Sequence, residues 1–427
     1  MDIRDRITNI LGQQSNNGAK AISVGRTAPP LESLVPGYWL RSAGHSLYVG
    51  ETRVPLSERH GERMLREFVV GAQADWPALL YTRREPFDLA GALLIDTETT
   101  GLGRGPGTFA FMVGIGRVDV GADSFVVRQY LAPDYGDEPL LLERIEAEAA
   151  NAAGLISFNG RSFDLPVLET RYILNGWERS PLSGMAHLDL LPTARRLWGR
   201  LLASCALSAL ESDLLKVARG DSDIPGYEIP AIYAEYLATG ETENVARVYY
   251  HNRYDILSMV TLAAEAASAL ADPPAAAERG AYDPAALGRI READESADLA
   301  AEAYRAGLTV NDASIRQDAR RRLAAMLKRS GRVQEAVPLW LDGLADNALY
   351  SYVELAKYYE HTVKAYGDAE ILVTRAMQGL ATGMIAHPNP DMALQHLSRR
   401  LARLQRRRQR MNSAPSRPSA NGEQGDR

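Results

Sequence analysis

Only one cysteine, Cys205, occurs among the 427 residues. A lone thiol closes no intramolecular disulfide and builds no cysteine metal cage, so the expected setting is the reducing cytoplasm. A surplus of positive charge is also missing. Lys and Arg number 48 against 54 Asp and Glu, for a formal net charge of −6. That argues against coating nucleic acid by bulk charge and leaves a local groove open. No apolar run approaches the roughly 18 residues that span a bilayer. Met1 to Lys20 lacks an apolar h-region, so neither a signal peptide nor a membrane span is expected. The Gly-rich run Gly103-Arg104-Gly105-Pro106-Gly107-Thr108 has no Gly-Lys-Ser/Thr, which argues against a nucleotide-binding phosphate loop.

The apolar fraction, 46%, is enough for a sizeable core, and the length allows two or three domains. Residues 1–36 read as a flexible arm. Within residues 37–270, Ala92 to Ile95, Phe109 to Val118, Phe125 to Leu131, Leu155 to Phe158 and His187 to Leu191 read as strands. Pro139 to Ala150 and Leu165 to Leu174 have helical spacing, and the remainder to about Leu270 is mostly helical, broken at Pro225-Gly226 and Pro230. Three strands followed by alternating helix and strand point to an α/β domain, a mixed sheet flanked by helices. Residues 271–295, rich in Ala and Pro, read as a linker. Residues 296–411 form an all-α domain with a period of roughly 32 to 36, close to helix-pair (TPR-like) repeats. Residues 412–427 read as a disordered tail.

Three groups of acidic residues stand out. Asp96-Thr97-Glu98 follows an apolar strand directly, and period two puts both carboxylates on one face. Adjacent carboxylates resist joint ionisation unless a cation neutralises them, and hard oxygen ligands suit Mg²⁺ or Mn²⁺. Asp164 follows the buried strand and turn Ser157-Phe158-Asn159-Gly160-Arg161-Ser162-Phe163. His251 and Asp255 share a helix face at i and i+4. Taken singly, these are an acidic strand end, a helix N-cap and a solvated face.

Taken in order, they resemble the motifs of the DEDD exonucleases, which have a ribonuclease-H-like fold. Asp96 and Glu98 match the first motif, Asn159, Phe163 and Asp164 the second, and Asp255 the third. More narrowly, the chain resembles the YprB-like ribonuclease-H-like proteins of bacteria. The runs that carry this are Asp96 to Leu102, Phe158 to Asp164, His187 to Leu191, Ile224 to Pro230, His251 to Asp255 and Tyr352 to His361. The resemblance implies a two-metal site that hydrolyses phosphodiesters stepwise from a single-stranded 3′ end of DNA or RNA. It implies that Asp96 bridges two Mg²⁺ or Mn²⁺ ions, that Glu98 and Asp255 complete one, and that Asp164 holds the other. It also places Thr99, Gly101 and Leu102 under the terminal nucleotide and Asn159, Arg161 and Phe163 beside the substrate.

One register departs from the superfamily. The base there is a Tyr four residues before the last Asp or a His five before; here His251 is four before and Tyr250 five before. Shared helix face, and the better match of an imidazole than a phenol to neutral pH, favour His251 as the base. Tyr250, rotated by ~100°, is expected in the core. His187 and Asp189 read as a structural pair beside the cleft. The arginines from Arg399 to Arg410 read as a solvated helix end or an electrostatic contact to nucleic acid. The helical domain is a possible protein-binding module. The rival to a nuclease is a nucleic-acid-binding or scaffold protein that kept the fold and lost efficient catalysis.

Overall fold

The computed structural model describes residues 28–71, 88–101, 103, 105–272, 282–293 and 295–412. Most of the expected arm, part of the expected linker, the tail, Leu102 and Arg104 lie outside these residues.

A hairpin opens the sheet. β1 (Gly37–Ser42) and β2 (His45–Pro55) pair antiparallel, with Ser42 opposite His45. The two residues between them, Ala43 and Gly44, have φ of +51° and +86°, the left-handed pair that a tight hairpin demands. A small hairpin, β3 (Arg59–His60) with β4 (Arg63–Met64), follows. Then come β5 (Leu93–Thr99), β6 (Ala110–Asp119), β7 (Ser124–Leu131), β8 (Leu155–Ser157) and β9 (His187–Asp189). The seven-stranded sheet has the order β1-β2-β7-β6-β5-β8-β9. β8 and β9 run parallel to β5, and the other neighbours are antiparallel. This is the mixed sheet expected from the sequence, widened by the N-terminal hairpin.

The helices of this part are α1 (Leu31–Leu34), α2 (Arg66–Gly71), α3 (Glu138–Ala149), α4 (Asp164–Leu174), α5 (Leu190–Trp198), α6 (Leu207–Leu210), α7 (Ile229–Thr239) and α8 (Glu243–Ala271). Two expectations shift. Leu190 and Leu191 belong to α5, because the Asp189 carboxylate accepts the Leu191 N–H at 3.1 Å and caps a helix there. Pro230 starts α7 instead of breaking a helix, since the first turn has no use for its missing N–H. The side chains of β5 alternate between two cores. Leu94 belongs to the core under α8, and Leu93 and Ile95 to the core with α3 and α4.

α8 is the central support. An 18-residue window of this 29-residue helix is apolar enough to cross a bilayer, but 78% of that window is buried inside the protein. The Ala-rich second half lets neighbours approach closely: a Cβ on Gly71 would sit 2.7 Å from the Ala267 methyl.

Beyond α8 lie α9 (Pro284–Ala293), α10 (Ala297–Gly307), α11 (Ala313–Arg329), α12 (Val333–Ala345), α13 (Leu349–Tyr358), α14 (Tyr366–Ala381) and α15 (Pro390–Asn412). From α9 onward each helix packs on the next in sequence, as in an array of stacked helices. Gly331, at φ +80°, makes the turn between α11 and α12. Gly367 does not turn the chain; it lies inside α14, and Lys364 at φ +64° makes that reversal.

The expected linker 271–295 is corrected by α9. Tyr282, Leu287 and Ile290 share one core with Ala194, Leu197 and Trp198 of α5, and Arg200 bridges Asp283 and Asp318 at 3.1 Å each. The Ala-rich composition hid a buried helix, because alanines allow close packing without the bulky apolar residues that mark periodicity. Leu287 is fully buried. Leu287→Ala is therefore expected to lower stability by about 2–5 kcal/mol, with the sheet domain melting in the same transition. Denaturant unfolding followed by circular dichroism checks this; a loss under ~0.5 kcal/mol would show that α9 is a separate, dispensable connector.

Candidate active site

The site is built where β5 runs out, beside α4 and α8. β5 brings Asp96 and Glu98 to the face covered by α8. Gly114 of β6 lies directly opposite Asp96 in the pairing register. A Cβ there would stand 2.0 Å from Asn252 Oδ1, and one on Gly116 would stand 2.6 Å from Ile256 Cγ2. The two glycines let α8 settle onto the sheet, which carries Asn252 and Asp255 down to the carboxylates. Asn252, fully buried, donates from Nδ2 to Asp96 Oδ2 at 2.8 Å and accepts from Gln129 Nε2 at 3.0 Å. Gln129 also donates to the Tyr249 carbonyl at 2.7 Å, so the orientation of Asp96 is fixed from β7 through α8.

Asp164 opens α4. Its Oδ1 accepts both the Thr97 N–H at 3.0 Å and the Thr97 hydroxyl at 2.5 Å. The turn before it is held by Asp189, whose carboxylate accepts the N–H of Asn159 at 2.8 Å and of Arg161 at 3.2 Å. Asn159 itself is left-handed, at φ +65°. Gly160 is needed because a Cβ would meet Ser157 Oγ at 2.4 Å. His187 bonds Ser157 Oγ at 2.8 Å, and burial pushes its imidazole down to about 4. His187 and Asp189 are thus the structural pair expected beside the cleft.

Asp255 comes from α8 and pairs with Arg219. Arg219 is held independently by Glu211, with Nε 2.8 Å from Oε2 and Nη2 2.6 Å from Oε1. Glu211 in turn accepts the Ser258 hydroxyl at 2.5 Å, and Ser258 Oγ lies 2.8 Å from His60 Nε2. Burial works against the Arg219 charge, but Glu211 and Asp255 more than offset it and keep the guanidinium protonated. Arg219 also reaches Asp223 at 3.2 Å. Asp223 Oδ1 is 2.9 Å from His251 Nδ1, and His251 Nε2 is 3.7 Å from Asp255 Oδ2. Arg219 Nη1 also lies 3.2 Å from His251 Nδ1, farther than Asp223; in the tautomer with Nδ1–H donating to Asp223, the Nε2 lone pair faces the Asp255 side.

Burial, followed by the charges of Asp255, Glu98 and Asp164, pushes the Asp96 carboxyl well above the usual range. Burial, then Asp255 and Asp164, does the same to Glu98. Burial raises Asp164 to about 6 in spite of its hydrogen bonds from Thr97. Four carboxylates from β5, α4 and α8 therefore act on one another in a site short of positive charge. Hard anionic oxygens in that condition fit divalent ions by chemistry. Among the described residues, no three such groups converge closely enough to hold an ion as they stand.

The other expected residues are placed unevenly. Thr99 is buried and donates to the Gly101 carbonyl at 2.7 Å, shaping the exit of β5. Asn159 is exposed and Phe163 half-buried at the mouth of the turn. Arg161 turns its guanidinium toward the His187 carbonyl at 3.5 Å. Tyr250 is not in the core. It is half-buried, stacks on Tyr254 with ring centroids 4.3 Å apart, and accepts the Gly220 N–H at 2.9 Å. Asn252, Gly114, Gln129, Arg219, Glu211 and Asp223 had not been picked out. Asn252 was legible in principle, since it sits three residues before Asp255 on the same helix; the others approach only through the tertiary fold.

A model of the RNase H superfamily matches residues 93–267, which contain all four carboxylates. Over 329 residues the chain is 32% identical to YprB of Bacillus subtilis (strain 168), a protein described as uncharacterized. That alignment covers 75% of this chain and 78% of YprB. The chain belongs to the YprB-like family of the RNase H superfamily. Membership gives the sheet domain a nuclease-type fold and links the family to nucleic acid and divalent metals. The YprB match extends past the superfamily domain, since 329 aligned residues exceed the 93–267 span.

Gly114→Ala offers a check on the seating of α8. The added methyl displaces Asn252 and frees Asp96; if Asp96 serves catalysis as proposed below, misplacement of about 1 Å costs ~10²-fold. Hydrolysis is expected to fall by that order while circular dichroism stays unchanged. Full activity would show that the contact of α8 with β6 does not position the site.

Proposed function

We propose that this chain is a metal-dependent nuclease that removes nucleotides stepwise from the 3′ end of a DNA or RNA strand. The observation that carries the reading is the set Asp96, Glu98, Asp164 and Asp255, with Glu98 and Asp164 buried and Asp96 and Asp255 partly so, in which burial and the neighbouring carboxylates push Asp96 and Glu98 well above the usual range. Asp96 would bridge two Mg²⁺ or Mn²⁺ ions, with Glu98 and Asp255 completing one and Asp164 holding the other. Two such ions, when bound, favour attack by water and neutralise the leaving oxygen. His251 receives the proton of the attacking water at Nε2, in the tautomer set by Asp223. Asn252 and Thr97 hold Asp96 and Asp164 in place. Thr99 and Gly101, at the end of β5, line the place of the terminal nucleotide, and Asn159, Arg161 and Phe163 flank it.

The 3′-end preference rests on family analogy. A linear oligonucleotide with a blocked 3′ terminus is expected to resist digestion, while the unblocked strand shortens one nucleotide at a time. Efficient cutting of a closed circle would make the enzyme an endonuclease.

One observation favours a second reading. Arg219 already pairs with Asp255, and as they stand the ligand groups of the described residues do not converge on one point. A protein that binds nucleic acid or scaffolds a complex, with weak catalysis, fits that state. Metal-dependent hydrolysis lost with Asp96 separates the two.

A further inference from the structure

We propose that the cavity between α13 and α15 is a docking site for an acidic peptide segment of a partner protein, anchored by aliphatic side chains. The cavity holds about 610 Å³, within the range of sites that enclose a ligand. Its apolar wall is aliphatic: Leu349, Val353, Met392 and Leu397. The rest of the wall holds the cations Lys357, Arg399, Arg400 and Arg403 with the imidazoles of His387 and His396, and no acidic residue lines it.

The positive charge there is not cancelled from behind. Arg400, Arg403 and Arg407 share the single fully buried carboxylate of Glu360, at 2.7, 2.9 and 3.2 Å. Three cations on one anion leave two in excess. Lys328 and Lys357 likewise share Glu354, at 2.5 and 2.6 Å, which leaves one more. Arg399 is exposed at the rim and adds to it. This excess belongs to a chain whose net charge is −6, so it does not follow from overall composition.

Glu360 also does a second thing. It anchors the arginines of α15 against the single turn Tyr359–Val363, so Arg400 and Arg403 are held in place before a ligand arrives. Preorganised cations lose less freedom on binding than free surface lysines do.

The shape of the wall selects the ligand. A single-stranded nucleic acid would bring phosphates to the arginines, but its bases stack best on large aromatic platforms, and the rings that line the cavity are the imidazoles of His387 and His396, with no Phe, Tyr or Trp. Aliphatic side chains flanked by carboxylates satisfy both walls at once. Of the seven arginines expected to be a solvated helix end or a nucleic-acid contact, three brace Glu360, one pairs with Glu370, and Arg399 faces the cavity.

The test is selection of a random-peptide library on the immobilised full-length chain, followed by fluorescence anisotropy of the winning peptides in ~0.15 M salt. The expected winners combine Asp or Glu with Leu, Ile, Val or Met. Arg399→Glu and Met392→Asp, both at exposed positions, should each weaken them at least tenfold and leave the unfolding temperature unchanged. Winners without acidic residues, or binding indifferent to both substitutions, would overturn the proposal. So would a labelled oligothymidine that binds the same site as tightly. Removal of residues 413–427 that raised peptide affinity tenfold would show instead that the chain's own end occupies the cavity. None of these readouts involves hydrolysis, so they stand apart from the nuclease reading.

Discussion

Replacing Asp96 by asparagine should abolish metal-dependent hydrolysis, by at least about 10³-fold, and at the same time stabilise the metal-free protein. The first effect follows from the proposed role of Asp96 in holding the metals, which a neutral amide does not replace in the transition state. The second follows from electrostatics. Burial and the neighbouring Asp255, Glu98 and Asp164 hold the Asp96 carboxyl above its ordinary range, so ionising it costs folding energy. A raised carboxyl contributes stability below the unfolded pKa and loses it as pH rises through the folded value. The gap in unfolding temperature between Asp96→Asn and wild type, measured in EDTA, should therefore be small near pH 4 and widen toward pH 8. It should widen by about 1.4 kcal/mol for each unit by which the folded pKa is raised. The amide oxygen still accepts from Asn252, so the fold is retained. Comparing the two proteins matters, because His187 and His60 are both pushed down to about 4 by burial and oppose the trend in wild type alone. Added Mn²⁺ should close the gap by stabilising only the wild type. A gap that stays flat with pH would mean that Asp96 is not under the repulsion described.

His251→Ala should slow hydrolysis by roughly 10²–10⁴-fold at saturating metal and flatten the acidic limb of the pH–rate profile. Tyr250→Phe should leave the rate within about threefold of wild type. The difference comes from the surroundings of each side chain. His251 lies between Asp223 and Asp255, at 2.9 and 3.7 Å, so with Nδ1–H donating to Asp223 its Nε2 faces Asp255. Tyr250 instead spends its hydroxyl on the Gly220 N–H and its ring on Tyr254. Asp223→Asn gives a partial version of the His251 defect, because the amide can hold the ring in the other tautomer. Loss confined to Tyr250→Phe would reverse the assignment.

The sheet domain was legible because its signals are local. An apolar run ending in Asp-x-Glu locates β5 and the face of its carboxylates, and the Gly160 turn locates the start of α4 beside Asp164. The i,i+4 spacing of His251 and Asp255 was enough to put them on one face of α8. What the sequence hid is long-range. Arg219 and Glu211 lie in a stretch with no motif, and they matter only because α8 carries Asp255 and Ser258 back to them. Gly114 looks like any strand glycine until Asn252 is set against it. The misread linker has the same cause, since Tyr282 and Leu287 find their partners on α5, far back in the chain. Tyr250 was expected in the core from helix rotation alone; its neighbour Tyr249 takes that position, and Tyr250 stays half-buried beside Gly220.

The most direct measurement is incubation of wild type and Asp96→Asn, purified side by side, with 5′-labelled single-stranded DNA and RNA in Mn²⁺, Mg²⁺ or EDTA. The carboxylate site predicts a descending ladder with wild type in at least one metal, no product in EDTA, and none with Asp96→Asn. Equal cleavage by the two proteins, or intact substrate in every metal with folded wild type, would contradict it.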